Sequence, residues 1–379
     1  MTDRLTSGLV DLGFHVGRRI GRPLVRPDWV SINVTLRCNL ECEMCVTCYD
    51  APDEMSADEL CGIVDQVADW GVPILNLLGG EPFVRRDLGP VLERAQQRGL
   101  IVTLTTNGTL LTPETIELLA RLNRVHVNFS LDGLQQSNDA IRGQGVFRKA
   151  TRALKALREA ERAHRDEPGW YDKAINVNTL ITRDNLDQLV EMAELARELG
   201  ASKIQFLNLF DHGEAARKSR LWIRRQDLPA LDAAIDRLVA HFREGSTDGG
   251  DGGFGPVNSL EDLALVKKYY RGQIKPVDAP CYVGHKELYL NVNGDGLMCD
   301  GRLDFTNGSF GNARRQPLRE MWTSPAARAM RRRVAACRKA CLQDCYLRRE
   351  SDDLGRILND VARGAWSRLG IALAARGLG

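Results

Sequence analysis

Ten cysteines are the residues of this 379-residue chain whose type and spacing point most directly to chemistry. Three of them, Cys38, Cys42 and Cys45, form a Cys-x3-Cys-x2-Cys run directly after a predicted strand. Three thiolates on one short loop can hold three irons of a cubane cluster and leave the fourth iron open to an external ligand. Zinc is the alternative, because it takes four ligands and Cys48 follows closely enough to be the fourth. The three cysteines alone favour a four-iron cluster over zinc.

A second group of cysteines lies toward the C-terminus. Its members are Cys281, Cys299, Cys337, Cys341 and Cys345. Disulfides are rare inside cells, and a chain of this length builds a core without them, so metal or cluster ligation is the better interpretation. Cys61 stands apart on a predicted amphipathic helix, where a buried and inert thiol is expected.

Composition and charge exclude several classes of protein. Apolar residues make up 43% and charged residues 27%, close to the average of globular chains, so disorder, collagen and coiled coil are not expected. The net charge of +2 provides no broad basic field, so no nucleic-acid partner is predicted. No run approaches the ~20 apolar residues that cross a bilayer, and no signal peptide is recognisable. These observations predict a cytoplasmic protein of about two to three domains.

Short apolar strands alternate with longer amphipathic helices, and these elements must position the cysteines. The predicted strands are Val30–Thr35, Ile74–Gly79, Ile101–Thr106, Val125–Ser130, Ile175–Ile181 and Ile204–Leu209. The predicted helices between them are Ala57–Trp70, Arg86–Arg98, Pro113–Leu122, Phe147–Ala163 and Asn185–Leu199. Such alternation predicts right-handed βαβ units and a parallel sheet. Six units are too few for the eight-stranded barrel, so the expected fold is α/β, an open, partial (β/α)6 barrel of the TIM type.

Five predicted segments follow one another along the chain. They are an N-terminal amphipathic helical segment (1–29), the partial barrel (30–244), a glycine-rich linker (245–256), a small cysteine-containing domain (257–349) and a C-terminal amphipathic helix (350–379). The small domain contains a predicted hairpin that turns at the sequence NGDG, residues 293–296. Both terminal helices carry arginines beside an apolar stripe. Peripheral membrane contact is one interpretation of this pattern, and packing on the barrel is the favoured one.

Motifs at the ends of several predicted strands resemble those of the radical S-adenosylmethionine (SAM) superfamily, whose signature is Cys-x3-Cys-x2-Cys after the first barrel strand. The segment LLGGEP at 77–82 is similar to the family's GGEP motif, which holds the SAM amino group, and TTNG at 105–108 and SLDG at 130–133 end the next two strands as in the family. Met44 departs from the family, which commonly has an aromatic residue there, but a thioether can still pack against adenine. The resemblance covers residues 30–209. It assigns SAM binding to Gly79, Gly80, Glu81, Pro82, Thr106, Asn107, Ser130, Asp132, Arg142 and Asn178.

The C-terminal cysteines resemble those of the SPASM and twitch domains, which extend enzymes of this superfamily and bind auxiliary iron–sulfur clusters. Twelve residues separate Cys281 from Gly294 and four separate Gly294 from Cys299, as at the start of those domains, so the turn would let both thiols approach one cluster. The segments GSFGN at 308–312 and LREMW at 318–322 are also similar. The domains' Cys-x2-Cys-x5-Cys-x3-Cys run is absent, so one auxiliary [4Fe–4S] cluster in a twitch-like or shortened SPASM domain is expected. A zinc knuckle is the alternative.

The ligands of this auxiliary cluster are only partly predicted. Cys281 and Cys299 are expected to bind it. Among the last three cysteines, Cys341 and Cys345 are favoured over Cys337.

The resemblance implies an enzyme that cleaves SAM reductively to a 5′-deoxyadenosyl radical, which then takes hydrogen from a substrate C–H bond. It further implies a one-electron reductant such as flavodoxin or ferredoxin, and a small-molecule or peptide substrate. The expected reaction is an oxidation, epimerisation or crosslinking in natural-product biosynthesis, and Cys48 is a candidate hydrogen donor for epimerisation.

Two other functions stay open. Only 29 residues precede Val30, too few for the leader-recognition domain of many peptide maturases, so a maturase would need a separate recognition partner. The alternative of another class is a non-catalytic iron–sulfur electron-transfer or metal-binding protein. The intact GGEP, TTNG and SLDG loops count against it, because a degenerate scaffold need not keep a SAM site.

Overall fold

The computed structural model describes most of the chain. The described residues are 4–45, 53–167, 170, 173–211, 214–245, 254–275, 278, 280–299, 308–337, 341–342, 354–355, 357–359 and 361–362. The strands are β1 (Trp29–Thr35), β2 (Ile74–Gly79), β3 (Ile101–Thr106), β4 (Val125–Ser130), β5 (Ile175–Ile181), β6 (Lys203–Asn208), β7 (Glu287–Leu290) and β8 (Gly296–Leu297). The α-helices are α1 (Arg4–Ile20), α2 (Ala57–Asp69), α3 (Leu88–Gln97), α4 (Pro113–Arg121), α5 (Gln135–Arg142), α6 (Val146–Arg162), α7 (Leu189–Glu198), α8 (Glu214–Lys218), α9 (Leu228–Gly245), α10 (Leu260–Tyr270), α11 (Leu318–Thr323) and α12 (Pro325–Ala335).

Strands β1 to β6 form the expected partial barrel. They lie in the order β6-β5-β4-β3-β2-β1, and each neighbouring pair is parallel. All six predicted strands are confirmed to within one residue at each end. Side chains alternate between the two faces of a strand, so Leu75 and Leu77 are fully buried in the core while Asn76 points to the opposite face.

The sheet continues past β1 into the hairpin β7–β8. Strand β7 pairs in parallel with β1, from Trp29 beside Glu287 to Ile32 beside Leu290, and β8 is antiparallel to β7. The sequence predicted this hairpin but not its attachment, because a short apolar run carries no information about the edge it joins. The hairpin between Cys281 and Cys299 is therefore fixed to the strand that leads into Cys38.

Local sequence explains where the barrel helices begin. Ser56 and Glu59 form a reciprocal capping box at the start of α2, and Thr112 caps α4 ahead of Pro113. Both starts were expected from the sequence. Helix α7 begins four residues later than predicted, because Arg183–Asn185 forms a 3-10 turn first. Helices α9 and α10 lie in stretches for which the sequence analysis named no helix.

The structure describes the N-terminal helix α1 and only a few residues of the C-terminal segment. Helix α1 buries Phe14 under the ammonium group of Lys286, which lies 5.1 Å from the ring centroid, as expected of a packed helix. Most of the predicted linker (245–256) and of the predicted C-terminal helix (350–379) lies outside the described residues. Among the described residues, every helix is too short or too polar to span a bilayer.

Candidate active site

The loop that leaves β1 brings Cys38, Cys42 and Cys45 close together. The Cys45 amide donates to the carbonyl oxygen of Cys42 at 2.9 Å, which closes a tight turn. Burial raises the pKa of Cys42, Arg142 opposes this shift, and the neighbouring thiols of Cys38 and Cys45 add to it. The three thiols therefore share one electrostatic environment, as ligands of one cluster would. Cys48, the candidate hydrogen donor, lies outside the described residues.

Polar contacts from other elements fix this loop. The amide nitrogen of the Asn107 side chain, at the end of β3, lies 3.9 Å from the Cys38 sulfur and donates to Asn39 at 3.0 Å. On the other side, the Glu43 amide donates to the carbonyl oxygen of Ile141 at 3.1 Å. The Glu43 carboxylate pairs with Arg220 at 2.7 Å. Asn107 thus contacts the cluster loop itself, a contact that the sequence did not reveal.

Gly79 and Gly80 allow the end of β2 to lie directly on the backbone that leads into Cys38. The Gly80 amide donates to the carbonyl of Thr35 at 2.9 Å, and the next amide donates to the carbonyl of Arg37 at 2.9 Å. A methyl group on Gly79 would overlap the Thr35 carbonyl, and one on Gly80 would overlap the Arg37 carbonyl. Two adjacent glycines allow a ligand to approach the backbone closely. The structure adds a second reason, the close approach of two strand ends.

Glu81 is a buried carboxylate at this junction, with 1% of its surface exposed. It accepts hydrogen bonds from Thr106 Oγ1 at 2.8 Å, from the Asn107 backbone amide at 2.7 Å and from the Phe83 amide at 3.2 Å. Burial raises the pKa of Glu81, and these hydrogen bonds oppose the shift. Pro82 starts the 3-10 turn that supplies the Phe83 amide. A carboxylate has about four lone-pair sites, so Glu81 can also accept from an ammonium group.

Arg142 and Asp132 form a buried ion pair beside the cluster loop. Arg142 Nε donates to Asp132 Oδ2 at 2.7 Å, and Asp132 is fully buried. The other carboxylate oxygen, Oδ1, accepts from the Leu180 amide at 2.9 Å. In the described part of the chain Asp132 is the sole hydrogen-bond partner of the Arg142 guanidinium, whose terminal nitrogens are left for another acceptor. Both oxygens of Asp132 accept hydrogen bonds within the protein, and one of them holds Arg142.

Ser130, the last residue of β4, lies beside Asn178 in the middle of β5. The Oδ1 atom of Asn178 is buried and has no hydrogen-bond partner among the described residues. A buried acceptor of this kind is costly unless a donor, such as a hydroxyl, reaches it. The site therefore offers Glu81 for an ammonium, Arg142 for a carboxylate and Asn178 for a ribose hydroxyl. These residues fit SAM beside a three-thiolate cluster.

Three of the C-terminal cysteines, Cys281, Cys299 and Cys337, flank the hairpin and the end of α12. Cys281 is exposed, and its thiol lies near the Cys337 thiol, with which it interacts electrostatically. Cys341 instead lies near Tyr269, whose pKa it raises in addition to the larger effect of burial. Cys345 lies outside the described residues, so the complete ligand set stays a prediction. Among the described residues, no three Cys, His, Asp or Glu side chains converge as a site for a single metal ion.

Arg314 connects the two cysteine regions, and the sequence analysis did not identify it. Its Nε donates to Glu59 at 2.7 Å and its Nη1 to Asp53 at 2.7 Å, so it ties the segment after β8 to the start of α2. Next to Asp53, Glu54 accepts from Thr35 Oγ1 at 2.6 Å. The available clue was an arginine two residues after the GN sequence at 311–312.

The fold and site define a class of protein: a partial parallel barrel that carries a three-cysteine loop and a set of polar side chains at the carboxyl ends of its strands. The chain belongs to the radical SAM superfamily. That family's sequence model matches residues 32–196, and the model of an iron–sulfur cluster-binding domain, SPASM, matches residues 281–346. The protein is therefore a radical SAM enzyme with a SPASM-type domain. Its cofactors are SAM, a SAM-binding [4Fe–4S] cluster and auxiliary iron–sulfur cluster content bound by the SPASM-type domain.

Relatives of known activity cover much of the chain. It is 35% identical to the AdoMet-dependent heme synthase of Methanosarcina barkeri over 327 residues, which are 78% of this chain and 82% of the relative. It is 37% identical to the mycofactocin maturase MftC of Mycolicibacterium smegmatis over 184 residues, 48% of this chain and 44% of that one. Streptococcus suis SuiB bound to its precursor peptide SuiA superposes with a TM-score of 0.65 at 18% identity, covering 83% of this chain and 69% of SuiB. The likeness to SuiB is one of fold.

Proposed function

We propose that this enzyme cleaves SAM reductively and uses the resulting 5′-deoxyadenosyl radical to abstract hydrogen from a C–H bond of a natural-product intermediate. The outcome is an oxidation, an epimerisation or a crosslink. The observation that supports the proposal is the position of Glu81, linked through Asn107 to Cys38, and of Arg142 beside Cys42. The likeness to a maturase, MftC, and to SuiB, which binds a precursor peptide, supports a peptide or small-molecule substrate.

The chain's own residues bind and orient in this proposal. Once bound, the cluster and SAM supply the one-electron chemistry. Glu81 accepts from the SAM ammonium group, and Arg142 donates its terminal N–H groups to the SAM carboxylate. Ser130 and Asn178 hold the ribose, and Asn107 steadies the loop beside Cys38. The Asp132 carboxylate orients Arg142, and it is a positioning residue.

The interior face of the barrel favours a neutral, hydrogen-bonding substrate. Asn76 donates to Ser31 Oγ at 3.1 Å, and Asn176 donates to Asn128 Oδ1 at 3.0 Å. The Oδ1 atom of Asn176 is buried without a partner among the described residues, so it can accept from a substrate N–H or O–H group. Peptides and sugars carry such donors, whereas several carboxylates would call for basic side chains.

A second candidate function is a reaction on a heme precursor. The observation in its favour is the 35% identity to a heme synthase over 82% of that protein's length.

A substrate panel separates the two candidates. Anaerobically reconstituted protein, SAM and dithionite would be incubated with peptides encoded by neighbouring genes or with iron coproporphyrin III. We expect a peptide to raise 5′-deoxyadenosine formation above the substrate-free rate and to lose two hydrogens or to gain solvent deuterium. Stimulation by the porphyrin alone would support the second candidate instead.

Replacement of Asp132 by asparagine tests the positioning role. The asparagine side chain would keep an acceptor for the Leu180 amide but lose the charge that holds Arg142. Because hydrogen bonds to charged groups contribute about 1.5–3 kcal/mol, we expect D132N to weaken SAM binding about tenfold to a hundredfold. Equilibrium dialysis with labelled SAM measures the change, and the iron content should stay that of the wild type.

The matched variant for this prediction is Arg142→Gln. If Asp132 acts through Arg142, the double variant D132N/R142Q should bind SAM no more weakly than R142Q alone. Additive losses in the double variant would show that Asp132 acts independently of Arg142.

A further inference from the structure

The auxiliary-cluster side of the molecule carries a concentration of positive charge that the proposed reaction does not use. Residues 4–26 contain five arginines and one acidic residue, Asp11. Helix α12 contains four arginines, at 328, 331, 332 and 333, and no acidic residue. The whole chain has a net charge of only +2, so this charge is strongly localised along the sequence.

The two basic elements meet at the turn that follows Cys281. Arg18 Nε donates to the carbonyl oxygen of Cys281 at 3.0 Å, and Arg331 Nε donates to that of Gly284 at 2.5 Å. Burial lowers the pKa of His285 to about 3, and the charges of Arg331 and Arg18 lower it further, so both cations lie near this one side chain. Helix α12 ends two residues before Cys337, whose thiol interacts with that of Cys281. The basic elements therefore border two candidate cluster ligands.

Several guanidinium groups of this surface are available to a partner. Arg22 and Arg332 are exposed and Arg328 is partly exposed. None of these three has an acidic partner in the described part of the chain. The loop of the SAM-binding cluster has the opposite net charge, because residues 37–45 contain one arginine and two exposed glutamates, Glu41 and Glu43. Charge thus distinguishes the surroundings of the two cysteine groups.

We propose that the basic surface formed by the solvent-accessible arginines Arg19, Arg22, Arg328 and Arg332 is the docking site of an acidic one-electron carrier protein that exchanges electrons with the auxiliary cluster. The inference rests on the proposed function, in which that cluster is redox-active. Each encounter moves one electron: the carrier's flavin hydroquinone is oxidised to the semiquinone, and the cluster is reduced by one electron. Complementary charge speeds such encounters, and electron-transfer interfaces are small and transient, so a compact arginine surface is sufficient.

An anionic membrane is the competing partner, because Leu9, Ile20 and Leu24 are exposed on or beside α1. Single exposed apolar side chains are ordinary on protein surfaces. Helix α12 contributes arginines without exposed large apolar residues, and the surface borders cluster cysteines, which a lipid headgroup does not require. These features favour the carrier.

Charge reversal tests the docking site on the reconstituted holoenzyme. The variant R328E/R332E would be compared with R148E/R152E, which makes the same charge change at the same spacing on exposed positions of α6. Stopped-flow absorbance would follow reduction of the enzyme by flavodoxin hydroquinone. At low ionic strength we expect R328E/R332E to slow the second-order rate at least about tenfold, and high salt to remove the difference. Reduction by dithionite should be the same in all three proteins.

The outcomes separate this proposal from the proposed function. Loss of dithionite-driven SAM cleavage in the wild type would overturn the proposed function. Two results would overturn the docking site alone, provided that dithionite-driven cleavage is normal. One is that R328E/R332E does not slow reduction of the enzyme by flavodoxin, and the other is that the α6 control slows it equally. Vesicles of phosphatidylglycerol and phosphatidylcholine would be tested by co-sedimentation. If R328E/R332E abolishes vesicle binding but does not change the rate at which flavodoxin reduces the enzyme, the surface belongs to the membrane and the carrier proposal is overturned.

Discussion

Replacing Cys38, Cys42 and Cys45 together with alanine is expected to lower the iron content from about eight to about four atoms per chain and to abolish 5′-deoxyadenosine formation. The three thiols lie on one loop and share one electrostatic environment, so their loss removes every protein ligand of the SAM-binding cluster. The SPASM-type domain at residues 281–346 keeps its own cysteines and should retain its iron. Iron and sulfide analysis of anaerobically reconstituted protein, with EPR of the reduced state, provides the measurement.

Cys61→Ala is the matched control for the triple variant. Cys61 lies partly buried on α2, with its sulfur 3.9 Å from the carbonyl oxygen of Pro90, away from both cysteine groups in the sequence. The Cys61→Ala variant should keep the full iron content and activity. A fall from about four irons to none in the triple variant would show that the C-terminal cysteines hold no iron cluster, contrary to this account.

A methyl group at position 80 is expected to reduce SAM cleavage about a hundredfold, because displacement of reacting groups by about an ångström has effects of this size. The added Cβ of Gly80→Ala would overlap the Arg37 carbonyl, and it would lie 2.7 Å from the Leu36 carbonyl oxygen. Backbone cannot move aside as a flexible side chain can, so the strand ends must separate. That movement shifts Glu81 relative to Cys38. SAM affinity and the yield of 5′-deoxyadenosine measure the effect.

Gly62→Ala is the control for this substitution. Gly62 lies within α2, and an added Cβ there would meet no atom within 4 Å. This variant should keep full activity and gain up to about 1 kcal/mol of stability, because alanine is the better helix former. Full activity in Gly80→Ala would show that the close approach of β1 and β2 is not required for SAM binding. Thermal melts of both variants separate a local displacement from loss of the fold.

The parts of the site that were predictable from the sequence are those that depend on local spacing. The three cysteines follow a strand with a clear apolar run, and GGEP, TTNG and SLDG each end another strand. Carboxyl ends of parallel strands meet at one edge of a barrel, so these motifs had to converge. The structure places Cys38, Glu81 and Asn107 in contact or linked by one hydrogen bond.

Other features depend on partners distant in sequence, and local patterns do not contain them. The pairing of β7 with β1 joins residues more than 250 positions apart. Arg314 contacts Glu59 across 255 positions, and an exposed arginine in a loop carries no sign of such a partner. Asp132 was expected among the SAM-binding residues, but both of its oxygens are engaged within the protein. Motif membership identified it as part of the site without distinguishing binding from positioning.

The most direct test of the central claim is EPR of the reduced, reconstituted wild-type protein with and without SAM, coupled to detection of 5′-deoxyadenosine. We predict that SAM changes the spectrum of one cluster, that 5′-deoxyadenosine forms, and that the triple cysteine variant shows neither effect. A protein with its full iron content, whose spectrum is unchanged by SAM and which forms no 5′-deoxyadenosine under strong reductant, would contradict the assignment of these residues to SAM cleavage.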